Sequence, residues 1–248
     1  MRHLHPIAAH EVLVASGTYR HFNNNEPTGL LEHWAIHELP DGAWFIRVDR
    51  DGRAFDGRSE FIEAWRSPVP DGGLVERFDV VGSGAPSDDP RQGRATFTLE
   101  GNHVHIGRTI GRDERQQETV EVPSGTLLQP GTYVCFGLIM PMLVENAPQP
   151  MFWRTGLHVP NDAALTGSVT YPSITFYRDE GLEVDGRERE TKRYMSRAGD
   201  ATWHYYWLDA NNTFLRHEGG DMVVQLERYS HRIPSPPTNG SYLRKIAL

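Results

Sequence analysis

Residues 202–229, TWHYYWLDANNTFLRHEGGDMVVQLERY, read as three antiparallel strands joined by two tight turns. Trp203 to Leu208 are dense in aromatic rings, which suit a pleated, half-buried strand. Asp209 to Asn212 carry turn chemistry, since Asn and Asp tolerate left-handed backbone. Thr213 to Glu218 form the second strand, Gly219-Gly220 turn again, and Met222 to Tyr229 close the meander. With a four-residue first loop, alternation places Trp203, Tyr205, Trp207, Phe214, Arg216 and Glu218 on one face, joined by Val223, Gln225 and Glu227. The other face holds His204, Tyr206, Leu208, Leu215, His217, Met222, Val224 and Leu226, and reads as packed core. The first face mixes rings with charges. It suits a cavity in which a few polar groups orient an apolar guest, or an outer surface where the rings and Arg216 cover one another.

Outward from this meander, turn signals recur at the spacing of short strands. Val12–Phe22, Leu30–Leu39, Ala43–Asp49, Ser59–Arg66 and Leu74–Val81 read as strands, separated by Asn, Pro-Asp-Gly and Asp-Gly turns. Residues 82–93 are too rich in Gly, Pro and Asp for regular structure. Ala95–Glu100 and His103–Arg108 form a hairpin about Gly101-Asn102, and Glu118–Val122 is a further strand. Four prolines break the apolar run 123–153, so Thr132–Val144 reads as a short helix or plug that covers the sheet, lines a pocket or makes a subunit contact. Ser168–Arg178 and Glu183–Ser196 precede the meander. With 24 glycines and 17 prolines in 248 residues, the expectation is all-β: one domain over residues 1–248, a single strongly curved antiparallel sheet or open β-barrel with short helical plug segments.

Composition narrows the partners. A net charge of −8 without a basic patch speaks against nucleic acid. The single cysteine, Cys135, cannot form an internal disulfide and sits in an apolar run where burial is expected. The opening MRHLHPIAAHEVLVASG lacks a signal-peptide core and no run reaches the length of a membrane helix, so a cytoplasmic protein with no membrane span is expected. Nucleophile elbows and phosphate-binding glycine loops are missing from the sequence, and no cofactor is expected.

Two segments carry a family resemblance: GTYRHFNNNEPTGLLEHWAIHELPDGAWFIRVD (17–49) and RETKRYMSRAGDATWHYYWLDANNTFLRHEGGDMVVQLERY (189–229). Their order of strands, polar turns and aromatic strand resembles the unclosed half-barrel superfamily of bacterial lipoprotein carriers and their relatives. The resemblance implies a curved sheet around a hydrophobic cavity partly plugged by helix, and an apolar guest. It carries over no catalytic residue.

Candidate chemistry rests on aromatic and ionisable residues sharing strand faces. Trp34, Trp65, Trp203, Tyr205 and Trp207 are expected to wall an apolar, aromatic or terpenoid-like small molecule, with Arg216 orienting its polar end. His105, Tyr205 and Glu32 are the proton-transfer candidates for a cofactor-independent isomerase, lyase or cyclase. Glu32 shares a face with Trp34 and Ile36, and Glu63 with Phe61 and Trp65; burial beside tryptophan favours a neutral carboxyl, and the alternative is an edge or rim carboxylate paired with Arg47, Arg77 or Arg216. His33/His37 and His103/His105 each share a strand face, a spacing metal sites use. The acid that follows such a pair in cupin metalloenzymes is replaced here by Arg108-Thr109-Ile110, and no metal is assigned. A carrier or sensor without turnover, and a homo-oligomer joined through residues 132–144, are the alternatives.

Overall fold

The computed structural model describes residues 1–68, 74–84, 91–145, 148–156, 164–197 and 202–231. Its strands are β1 (Val12–Asn23), β2 (Glu26–Glu38), β3 (Trp44–Gly52), β4 (Arg58–Arg66), β5 (Val75–Gly84), β6 (Arg91–Glu100), β7 (His103–Ile110) and β8 (Gln116–Glu121). They continue with β9 (Leu127–Gln129), β10 (Met151–Arg154), β11 (Gly167–Thr170), β12 (Ile174–Val184), β13 (Arg187–Arg197), β14 (Trp203–Leu208), β15 (Phe214–Gly219) and β16 (Met222–His231). Helix α1 (Tyr133–Glu145) lies between β9 and β10. Thirteen strands form one antiparallel sheet in the order β12-β13-β14-β15-β16-β1-β2-β3-β4-β5-β6-β7-β8, and β11-β10-β9 form a small second sheet. The large sheet does not close, because β12 and β8 are its two edges. This is the all-β, open-barrel fold expected. Among the described residues no helix is long and apolar enough to cross a membrane.

Turn chemistry sets the register. Asn24 and Asn25 both take positive φ (50° and 64°) between β1 and β2, and Asp185-Gly186 do the same (53° and 67°) between β12 and β13. Such two-residue turns match strand twist. The Asp-Gly signal divides the expected strand Glu183–Ser196, whose first two residues end β12. Pro172 separates β11 from β12 where one strand was expected, since proline cannot supply a ladder donor. Of the expected loop 82–93, residues up to Gly84 belong to β5 and those from Arg91 to β6, and 85–90 lie outside the described residues.

The terminal meander shows why faces are hard to assign. The first loop holds five residues, Asp209 to Thr213, with Leu208 opposite Phe214. Asp209 Oδ1 accepts from the Asn211 and Thr213 N–H groups, both at 2.9 Å, which fixes the loop. One extra loop residue would turn all of β15 over. A bulge at Leu215 takes it back, so Trp207 faces Arg216 and Tyr206 faces His217. Only Phe214 changes side: it joins the core with zero exposure, not the face of Trp207. The second turn lies on Gly220-Asp221, with Gly219 still paired to Met222.

One face of the sheet is covered by α1. Tyr133 meets Tyr19, His21, Phe214 and His217 at ring distances of 5.1–5.9 Å, and Phe136 meets Tyr206 and Phe214. Thr132 caps the helix, its Oγ1 accepting from Cys135 N. The helix carries Pro141 in its interior and ends after 13 residues. At Gly137 it lies so close to the meander that an added Cβ would stand 2.7 Å from the Asn212 carbonyl. Cys135 is buried and its thiol is pushed up to about 12, as expected of an inert cysteine.

The polar lead-in, residues 1–11, is a strap over the opposite face of β2–β4. Arg2 donates to Asp49 at 2.8 Å and to Ser59, the Leu4 and His5 N–H groups donate to Glu63, and Glu11 pairs with Arg47 at 2.5 Å. These contacts bury Arg47, Asp49, Ser59 and Glu63 on the side away from α1.

A Cβ at Gly17 would stand 2.6 Å from the Trp34 ring and 2.7 Å from the Arg228 carbonyl. Gly17→Ala is therefore expected to destabilise by about 1–3 kcal/mol, since a packed core resists added volume. Thermal unfolding of that variant beside the unaltered chain checks this; equal midpoints would show that the Trp34 ring can move aside.

Candidate functional site

The concave side carries a chain of charges built by register. Glu32 on β2 lies opposite Arg50 on β3, which lies opposite Glu60 on β4. Arg50 donates to Glu32 at 2.7 Å and to Glu60 at 3.0 Å. Arg154, from β10, reaches Glu60 at 2.9 Å. Adjacent strands hold opposite charges close enough to pair directly.

The same groups satisfy the backbone that leads into α1. Arg154 donates to the Pro130 carbonyl and Arg50 to the Gly131 carbonyl at 2.6 Å. The Tyr133 N–H donates to the second oxygen of Glu32 at 3.0 Å. Glu32 has no exposure, and both its oxygens are engaged. Burial works to lower the Arg50 pKa, but the facing Glu32 and Glu60 carboxylates prevail and hold it above the usual guanidinium range.

Above this floor lies a cavity of about 330 Å³. It opens where β2 and β4 begin and β3 and β5 end, so it occupies one mouth of the curved sheet. Arg50, Glu60 and Arg154 form its floor, Trp153 a wall, and Asp56 and Arg58 part of its lining toward the lip. Trp153 is 41% exposed and held edge-on by Phe136 at 6.3 Å. Arg58 pairs with Asp56 at 2.6 Å, with 41% and 26% of the two side chains exposed. Mouths of β-barrels are common ligand sites, and about 300 Å³ is the lower end of their range.

A second cluster lies under α1. His217 Nε2 and His204 Nδ1 are hydrogen-bonded at 3.0 Å, and the His217 ring stacks on Tyr206 at 5.0 Å. His217 Nδ1, His21 Nε2, Tyr19 Oη and Trp34 Nε1 are buried without a protein partner. Burial pushes His21 and His217 down to about 3, with help from Arg50 and His217 for the first and from His204 for the second. Both rings are therefore neutral at ordinary pH.

The expected site residues fall in several places. Glu32 lies in the charge chain, and Trp34 in the core, stacked on Tyr19 at 6.0 Å. Trp65 stacks on Phe45 at 4.6 Å, and the Arg77 guanidinium lies over its ring at 4.9 Å. Tyr205, Trp207 and Arg216 lie on the face turned away from α1. There Arg193 covers Tyr205 at 4.1 Å and Trp207 at 4.6 Å, and Glu180 accepts from the Trp207 ring N–H. Trp203 is 45% exposed beside Arg197. This is the outer surface of mutually covering rings and arginines, the second of the two readings of that face. His105 is exposed on β7, bonded to Thr119 at 3.0 Å. His33 bonds Thr18 and His37 bonds Arg47. Among the described residues no group of three or more His, Cys, Asp or Glu could hold a metal. Arg50, Glu60, Trp153 and Arg154 were not anticipated. The alternation of β2–β4 could have found Arg50 and Glu60, but nothing local brings Arg154 to them.

No protein-family model matches the chain, and no curated protein matches it. Among solved structures, the crystal structure of a β-barrel-like protein of domain of unknown function DUF1849 from Brucella abortus is similar at 11% identity. The match covers 91% of this chain and 100% of that chain, with a TM-score of 0.46.

Two outcomes are expected. Glu32→Gln leaves Arg50 with one carboxylate and should destabilise by about 3–5 kcal/mol in denaturant unfolding, the range for breaking a buried pair; a loss typical of exposed pairs would mean that Glu60 and the solvent in the cavity suffice for Arg50. For His21 and His217 the folded pKa lies below the unfolded 6.5. The unfolded chain then binds more protons, so their contribution is complete above pH 6.5 and is lost as pH falls toward about 3. Thermal midpoints across that window should fall less steeply in His21→Leu than in the unaltered chain, and parallel curves would refute it.

Proposed function

We propose that this chain binds a small polar molecule in the cavity at the mouth of its open sheet. The observation that carries this reading is the cavity itself: about 330 Å³, with a hydrogen-bonded charged floor and a half-open tryptophan wall. Its rigid floor lowers the ordering cost of binding.

The apolar guest implied by the half-barrel resemblance has weaker support. The concave face is occupied by α1, and the aromatic face of β14 is turned outward with its rings already covered. Binding is favoured over proton-transfer catalysis because Glu32 has both oxygens bonded, while His105 and Tyr205 lie away from it on other faces.

A thermal-shift screen of polar metabolites, followed by native mass spectrometry of the hits, tests the proposal. Compounds that raise the midpoint of the unaltered chain should lose that effect in Trp153→Ala. Hits that stabilise both proteins equally would place the guest elsewhere.

A further inference from the structure

The cavity's polar groups divide into a saturated floor and a pair that can change partners. Arg50 spends its donors on Glu32, Glu60 and the Gly131 carbonyl. Arg154 spends its own on Glu60 and the carbonyls of Pro130 and Thr155. Drawing either away would break the hydrogen bonds that seat the segment before α1. A guest therefore finds its ionic partners in Asp56 and Arg58. This pair is two residues apart in one turn and partly exposed, so it adds little to the fold; Asp56 Oδ1 keeps the Arg58 N–H at 3.0 Å, and Oδ2, which accepts from the guanidinium, is the oxygen that can exchange.

Charge balance then limits the guest. An anion that took Arg58 would leave the Asp56 carboxylate facing it without a cation. A cation that took Asp56 would leave Arg58 in the same position. A molecule with both charges replaces each partner at once. The rest of the lining is uncharged, with Leu30, Ser59, Ser83 and glycines, and its one flat apolar surface is the open part of the Trp153 ring. Resting on the cavity being the binding site, we infer that its guest is a small zwitterion with a planar apolar group: carboxylate on Arg58, ammonium on Asp56, plane against Trp153. The Arg58 stem passes directly over Gly84, where an added Cβ would stand 3.3 Å from its Cγ.

Isothermal titration with four probes of one shape tests this: phenylalanine (zwitterion), 3-phenylpropionate (anion), phenethylamine (cation) and 3-phenylpropanamide (neutral). Phenylalanine should bind about two- to fivefold more tightly than any of the others, the worth of one exposed ion pair. Arg58→Gln and Asp56→Asn should each remove that margin, and Arg58→Gln, which takes away the cation left unpaired, should tighten phenethylamine. Equal or tighter binding of the anion, or a margin that survives both variants, overturns the zwitterion assignment while the cavity stands as a site. If none of the four binds and the metabolite screen is also empty, the binding-site reading fails with it.

Discussion

Everything on the concave side depends on one constraint: backbone polar groups buried beneath an apolar helix must have partners. The segment that turns into α1 runs along the inner face of the sheet, where its carbonyls at Pro130 and Gly131 and the N–H of Tyr133 are met by Arg154, Arg50 and Glu32. An unmet buried backbone group costs about as much as a lost hydrogen bond. Glu32, Arg50 and Arg154 meet these groups, and Glu60 joins the two arginines, so the charges that satisfy the backbone also neutralise one another. Such a chain adds little net stability, but removing one member leaves a buried charge. It fixes where the helix starts and forms the cavity floor by the same contacts.

An open sheet has to manage its inside and its edges without the help of closure. The inside is filled by α1, the small sheet and the rings of Tyr19, Trp34, Phe97, Phe152 and Phe214. Among the described residues, the Tyr19 hydroxyl, the Trp34 ring N–H and one ring nitrogen each of His21 and His217 are left buried without protein partners in that packing, at roughly 1–3 kcal/mol each where water does not reach them. The neutral state of His21 and His217 follows directly. At one edge, β8 reads QQETVE and is largely exposed; its carboxylates discourage a further strand from adding to it. On the outer face the strap of residues 1–11 covers Arg47, Asp49 and Glu63, polar side chains that alternation turns away from the core.

The all-β class, most strand positions and the Thr132–Val144 plug were legible in the sequence because alternation and turn chemistry are local. Trp207 and Arg216 were placed on one face correctly, yet that face points outward. Phe214 was placed on the wrong one, since a fifth loop residue and a bulge at Leu215 both lie beyond what periodicity shows. Glu32 was singled out beside tryptophan as an acid; in the fold its first neighbour is Arg50.

The sequence by itself determined the strands, their tight turns and the alternation that separates two faces, because these follow from bonds between neighbours in the chain. It also determined that Glu32, Arg50 and Glu60 would each alternate onto one side of its strand. Only the tertiary structure decided which side α1 would cover, that Arg154 would reach Glu60 across 94 residues, and that Trp153 would stand at the mouth of a cavity. The physical reason is that an open sheet has two possible insides. The choice is made by the long-range partners of a few buried charges and carbonyls, which no local pattern encodes.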